Sequence, residues 1–242
     1  MNQNIYDDPD FFAGYSRLAR SRLGLAGAPE WPSLRTMVGD VSGRRVVDLG
    51  CGYGWFCRWA AAEGAAAVLG IDVSARMLAR AAEEPHERIT YRREDLEAFE
   101  LPAASFDLAY SSLTLHYLVG LDRMLGVVRR ALVDGGLFVC SVEHPTITAP
   151  SRPGFVELPD GRTVWPLDDY LVEGPRVTDW LAEGVVKQHR TIGTYVDLLG
   201  AAGFSLTRLV EWGPNEQDLA AHPEWAAEVR RPAFLLLAAN AV

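Results

Sequence analysis

The stretch 46-VVDLGCGYGWF-56 sets Gly50, Gly52 and Gly54 at alternate positions behind an acidic residue, Asp48. The apolar run ending in "RRVVDLG" reads as a buried strand and "WFCRWAAAEG" as a helix closed by Gly64, so the glycines lie at a strand-to-helix turn. Glycine there permits a tight turn and close approach of backbone to a ligand. The helix start beyond it offers free N–H groups and partial positive charge. Dinucleotide folds share that much, but their fingerprint spaces its glycines G-x-G-x-x-G. This loop reads G-x-G-x-G, with Asp48 two residues ahead of it. A carboxylate at the strand end repels a pyrophosphate and attracts an ammonium group, directly or through water. The loop therefore fits a ligand with a cation near the turn.

Outward from this turn the chain alternates. "AAVLGID" predicts a second strand, "SARMLARAAEE" a helix with Ser74 as N-cap, "ITYRRED" a third strand and "FDLAYSS" a fourth. A helix is expected near 121–132 and a fifth strand at "GLFVCSVEH". After an interruption come helix "TIGTYVDLLGAAG" and strands "FSLTRLVEWG" and "PAFLLLAA". This alternation predicts an α/β fold: a seven-stranded, mostly parallel sheet with helices on both faces. A stretch rich in Pro, His and Trp joins the last two strands, which predicts an antiparallel pairing at one edge. Residues 10–38 read as one or two short helices broken at Gly24–Gly27, Pro29 and Pro32.

Residues 145–188 carry six prolines and two hairpin-like segments, "FVELPDGRTVW" and "RVTDWLAEGVVKQHR". A plain loop of that length is unusual. The segment leaves the carboxyl end of the fifth strand, where open α/β sheets bind ligands. It reads as a small β-rich lid inserted after strand 5; an edge extension without function is the alternative. The expected organisation is an N-terminal helical cap over 1–40, a main domain from 41–144 and 189–242, and the inserted lid over 145–188.

With 49% apolar residues, the 242-residue chain can fill the core of one such domain. No run of eighteen apolar residues occurs, so no membrane span is expected. The first ten residues, "MNQNIYDDPD", lack the basic and apolar regions of a secretory signal. Cys51, Cys57 and Cys140 form no C-x-x-C pair and are odd in number, which predicts reduced thiols and a cytoplasmic setting. No metal-ligand set is expected. Net charge is −9, and Arg44–Arg45, Arg92–Arg93, Arg129–Arg130 and Arg230–Arg231 are scattered pairs rather than one basic patch. A small molecule is therefore favoured over a nucleic acid as partner.

The next strand-end carboxylate is Asp72, in "LGIDVS", eighteen residues beyond Gly54. There a carboxylate accepts hydrogen bonds from a ribose diol. The third strand ends in "REDLEAF": Asp95 can accept from adenine N6, with the Leu96 N–H facing a ring nitrogen and Glu94 as a substitute. Three successive strand tips thus supply partners for an ammonium, a ribose and an adenine. The ligand so described is S-adenosyl-L-methionine.

"VVDLGCGYG", "GIDVS", "EDLEAF" and "FDLAYSSLTLHYL" resemble, in that order and spacing, the motifs of class I S-adenosylmethionine-dependent methyltransferases. The resemblance is to the small-molecule, "methyltransferase domain 11" type, over about residues 40–145. It implies a Rossmann-like fold, S-adenosyl-L-methionine as cofactor and S-adenosyl-L-homocysteine as product. It implies Asp48 and the loop of Gly50, Cys51, Gly52 and Gly54 at the methionine end, and Asp72 with Val73 at the ribose. Asp95 with Leu96 falls at the adenine, and the tip of Ser111 and Ser112 beside the sulfonium. In similar enzymes an N-terminal helix folds over the cofactor and a tyrosine reaches the methionine carboxylate; Tyr6, Tyr15 and Arg20 are placed to do so. Plainer readings stand beside these. Asp72 can serve as a helix cap, Asp95 as a surface carboxylate, Cys51 as a small packing residue, and Phe11, Phe12 and Tyr15 as a packing stripe.

Methyl transfer from a sulfonium is an in-line displacement in which approach and desolvation do much of the work. A general base is needed only when the acceptor must lose a proton first. His116, in "LTLHYL", and His144, in "SVEHP", follow strands four and five and are the catalytic candidates. Local packing is the alternative for each. His189 and Arg190 end the insert and could hold an acidic acceptor, unless Arg190 pairs with Asp168, Asp169 or Glu173. Phe155, Trp165, Tyr170 and Trp180 suit either an aromatic acceptor or a core belonging to the lid. The expected function is methyl transfer to a small molecule. A non-catalytic S-adenosylmethionine-binding regulatory module is the alternative. A nicotinamide oxidoreductase is opposed by the glycine spacing. A nucleic-acid methyltransferase is opposed by the acidic balance and by "SSLT", standing where an Asn/Asp-Pro-Pro-Tyr tetrapeptide would be.

Overall fold

The structure, a computed structural model, describes residues 3–242. A 3-10 turn at Ile5–Asp7 precedes helices α1 (Pro9–Tyr15), α2 (Ala19–Leu23) and α3 (Trp31–Val38). The Asp8 side chain accepts from the N–H groups of Asp10 and Phe11, which caps α1, with Pro9 in its first turn. Pro32 stands in the first turn of α3 rather than breaking a helix, because a first-turn residue has no use for its N–H. The segment is thus three helices, not one or two.

The alternating part follows: β1 (Arg45–Leu49), α4 (Trp55–Ala62), β2 (Ala67–Asp72), α5 (Ala75–Ala81), β3 (Ile89–Arg93), β4 (Phe106–Ser112), α6 (Leu121–Ala131) and β5 (Leu132–Glu143). After β5 come a single helical turn, α7 (Pro145–Thr148), and two antiparallel hairpins. One pairs β6 (Val156–Glu157) with β7 (Thr163–Val164); the other pairs β8 (Gly174–Trp180) with β9 (Ala182–His189). They form two separate two-stranded sheets. Helix α8 (Ile192–Ala201), β10 (Phe204–Trp212), α9 (Glu216–Ala221) and β11 (Phe234–Ala241) complete the chain.

Seven strands join in the order β10-β11-β5-β4-β1-β2-β3. All run parallel except β11, which is antiparallel to both β5 and β10. The antiparallel β10–β11 pair thus stands at one edge, with the reversed strand one place in. Its run Leu235–Ala239 is buried on both faces, which demands an interior position, whereas β10 carries exposed Ser205, Arg208 and Glu211 and suits the edge.

Strand alternation sends neighbours to opposite sides. Val46, Leu108 and Tyr110 enter one core with α3 and α4; Val47, Leu49 and Ala109 enter the other with α6 and α8. Helix α6 shows why it lies flat on the sheet: Leu121, Met124, Leu125 and Val128 are buried while Asp122, Arg123 and Arg130 are not. Among the described residues no helix is long and apolar enough to cross a membrane. β1 and β4 are neighbours from which the chain winds outward in opposite directions, so a crevice opens beyond their carboxyl ends.

Candidate functional site

A cavity of about 360 Å³ occupies that crevice, within the size range of small-molecule sites. Successive strand tips floor it: Gly50 and Gly52 after β1, Asp72 and Val73 at β2, Leu96 after β3, Ser112 and Thr114 at β4, and Glu143 at β5. The N-terminal segment roofs it with Tyr6, Tyr15 and Arg20, and β8 adds Trp180. A smaller cavity of about 100 Å³ shares Tyr15, Arg20, Gly50, Gly52 and Ser112 with the first and reaches Asp48 and Cys51.

The glycine turn is shaped by backbone bonds. Gly50 and Cys51 both donate N–H to the Ile71 carbonyl, at 2.8 and 2.9 Å. The three glycines all have positive φ, +81°, +52° and +72°. A Cβ on Gly50 would stand 2.2 Å from Thr114 Oγ1, and one on Gly54 2.2 Å from the Tyr91 hydroxyl. A Cβ on Gly52 would meet nothing within 4 Å, and Gly52 lines both cavities. Gly54 lines neither; it starts α4 in a left-handed conformation.

Asp72 is nearly buried and accepts N–H from Gly52 and from Ser74, each at 2.9 Å. It joins the β1 turn to the β2 turn while facing the cavity. The cap of α5 is Ser74, whose Oγ accepts from the Met77 N–H, so Asp72 is not that cap. Asp48 is buried, and its carboxyl accepts from the Cys57 thiol, 3.3 Å away. Burial pushes the Asp48 carboxyl up to about 7, so it is half-protonated near neutrality. Arg20 is paired with the fully buried Glu30 at 3.1 Å, on the wall of both cavities.

His116 lines the main cavity and is buried. Its Nδ1 accepts from the Glu143 N–H at 3.4 Å, which assigns the ring proton to Nε2. Burial pulls its pKa down to about 4. In this neutral tautomer the ring offers a donor, not a base.

Several sequence candidates stand elsewhere. Ser111 is buried and donates to the Leu49 carbonyl, locking β4 to β1; its neighbour Ser112 faces the cavities, because alternate strand residues face opposite ways. Asp95 is off the cavity wall, its carboxylate accepting from the Glu97 N–H, while Leu96 is on the wall. His144 caps α7 by accepting from Thr146 N–H and meets Glu211 Oε1 at 3.0 Å through Nε2, away from the cavity. His189 is tied through Nδ1 to Thr148 and through Nε2 to the Tyr170 carbonyl. Arg190 donates to the Leu118 and Val119 carbonyls, not to Asp168, Asp169 or Glu173. His189 thus ties α7 to the segment before β8, and Arg190 ties the end of β9 to the loop after β4. Of the four insert aromatics, Trp180 alone lines the cavity; Phe155 and Trp165 pack on each other and on Arg231.

Glu143 and Leu113 are among the cavity residues that escaped the sequence reading. Glu143 is on the wall with Oε1 held by Lys187 Nζ at 2.6 Å, and Oε2 is buried without a partner among the described residues. The only sequence signal was its place at a strand end, where His144 drew attention. Leu113 holds a left-handed conformation, φ +52°, at the mouth of β4, a strained setting that no pattern announces.

The methyltransferase domain family matches residues 47–140. The crystal structure of an S-adenosylmethionine dependent methyltransferase from Mesorhizobium loti is 55% identical, with a TM-score of 0.87 over 90% of this chain and 100% of that one. This chain belongs to the class I S-adenosylmethionine-dependent methyltransferases. An uncharacterized protein of Haemophilus influenzae is 28% identical over 99% of this methyltransferase and 97% of its own length. A malonyl-[acyl-carrier protein] O-methyltransferase of Erwinia billingiae is 38% identical over 95 residues, 39% of this methyltransferase and 37% of itself. Most of each chain lies outside that last match.

Proposed function

We propose that this methyltransferase transfers a methyl group to a small-molecule oxygen, nitrogen or carbon nucleophile by in-line displacement. The observation that carries this reading is the convergence of the β1, β2, β3 and β4 tips on one cavity beneath an aromatic roof. Gly52 supplies the test of fit: its α-carbon faces open space where a side chain would intrude on a bound cofactor. When bound, S-adenosylmethionine supplies an electrophilic methyl group on a cationic sulfur.

Asp48, the Gly50–Gly54 loop, Tyr15 and Arg20 would hold the methionine end, and Asp72 with Val73 the ribose. Leu96, with Asp95 behind it, would border the adenine, and Ser112 rather than Ser111 the sulfonium. Tyr6, Tyr15, Tyr117 and Trp180 exclude water, which strengthens the orientation of the reacting groups. The insert over 145–188 acts as a lid through Trp180. The acceptor of the Erwinia relative does not carry over, since the match spans a minority of each chain.

Calorimetric titration with S-adenosylhomocysteine tests the site. The wild type should bind, and Asp72→Ala should weaken binding by about 1–3 kcal/mol, the scale for leaving buried polar groups unpaired. Circular dichroism controls for folding. A folded Asp72→Ala protein of unchanged affinity removes the ribose role, and failure of the wild type to bind removes the whole reading.

A further inference from the structure

The acceptor end of the cavity has a chemistry of its own. We infer that the methyl acceptor is an amine on an apolar body, its N–H donated to Glu143, an assignment that rests on the cofactor site proposed above. Glu143 lines the cavity with one oxygen on Lys187 and the other, Oε2, buried and unpartnered among the described residues. A buried carboxylate oxygen without a donor is costly, and an acceptor bearing an N–H relieves it. Burial alone would raise the Glu143 carboxyl, but the Lys187 charge and hydrogen bond oppose it, and the carboxyl lies below its usual range. The site therefore presents an ionised carboxylate whose charge is paired by Lys187 and whose second oxygen lacks a donor among the described residues.

Around it stand aromatic rings: Trp180, Tyr117 and Tyr6 are on the same wall. Their faces suit a cation. The protein already uses this combination once, since Lys187 Nζ lies 5.0 Å over the Trp180 ring while bonded to Glu143. A carboxylate acceptor would face like charge at Oε2. A phenol must become a phenolate to react, and an ionised Glu143 disfavours that second anion beside it.

An amine bound as its ammonium releases one proton to water and reacts as the free base, which carries no charge for Glu143 to repel. Its nitrogen lone pair forms the N–C bond as the C–S bond breaks, and the released pair leaves sulfur as a neutral thioether. The positive charge passes from sulfur to nitrogen, beside Glu143, and the extra proton departs to water with the product. Charge is moved, not cancelled, so a buried carboxylate flanked by aromatic faces stabilises the product side.

The test uses the full chain loaded with S-adenosylhomocysteine and titrated with benzylamine, phenethylamine and tryptamine against benzyl alcohol, phenol and phenylacetate. The amines should bind at least tenfold more tightly than their oxygen counterparts. Glu143→Gln should abolish that preference while binding S-adenosylhomocysteine within about twofold of wild type. Glu143→Asp, which keeps the charge, should retain part of it. With S-adenosylmethionine carrying a labelled methyl group, the label should appear on nitrogen. Equal or tighter binding of phenol or phenylacetate, no amine binding to the loaded protein, or an unchanged preference in Glu143→Gln overturns the inference. Failure of the wild type to bind S-adenosylhomocysteine would instead strike the cofactor reading beneath it.

Discussion

Gly50 and Gly52 look alike in the sequence and differ in what surrounds them. Both have positive φ, which costs an alanine about 1–2 kcal/mol. At Gly50 a methyl also collides with the Thr114 side chain, with atoms at 2.2–2.8 Å; overpacking of this kind adds about 1–3 kcal/mol. At Gly52 the methyl enters open cavity. Gly50→Ala should therefore lower the urea midpoint markedly, and Gly52→Ala should lower it slightly while weakening S-adenosylhomocysteine binding by tenfold or more. Equal stability losses with equal affinities would show that Gly52 does not border the ligand. The alternate glycines thus divide labour, one for packing and one for approach.

Among elements, the N-terminal strap is held by a junction that propensity does not foretell. The Asp7 carboxylate accepts from Ser74 Oγ at 2.6 Å and from the N–H of Arg76 at 3.2 Å. A negative side chain from residue 7 thereby sits at the start of α5, where the helix favours an anion. The same strap carries Tyr6, which meets Phe11, Tyr15 and Tyr117 edge to face, and Phe11 meets Trp180 of β8. Roof and insert share one apolar cluster, and polar contacts tie the strap at both ends of it: Asp7 to the start of α5, and Gln3 to Gly184 and Val186 of β9. Asp7→Ala should raise proteolytic cleavage within the first thirty residues several-fold while moving the global melting temperature little, and S-adenosylhomocysteine should restore protection. Cleavage at the wild-type rate would mean that the aromatic cluster and the Gln3 contacts hold the strap without Asp7. Ser74→Ala loses both this contact and the α5 cap, a cost of about 1 kcal/mol.

Across the whole molecule, two buried groups at the site have opposed proton linkage. Asp48 is raised to about 7, so its contribution to stability is complete below its ordinary value near 4 and is lost as pH rises through 7. His116 is lowered to about 4, so its contribution is complete above about 6.5 and is lost as pH falls through 4. Between about pH 4.5 and 6.5 the two slopes offset. Without cofactor, Asp48→Asn should make stability rise with pH in that window, and His116→Asn should make it fall, each by up to about 1.4 kcal/mol per pH unit. Urea midpoints at pH 5 and 6.5 check this, and parallel changes in the two variants would refute it. The sequence by itself determined the layered sheet, its seven strands, the glycine turn and the family, because those rest on local periodicity and on turn chemistry within a few residues. It also marked Asp72, since a strand-end acid has a fixed place once the strand is known. Only the tertiary structure decided which histidine faces the cavity, that His144, His189 and Arg190 serve as fasteners, and that Glu143 stands with Lys187 at the cavity wall. Those outcomes depend on partners far off in the chain, such as Glu211 for His144 and Leu118 for Arg190, and no local pattern records what packing brings together.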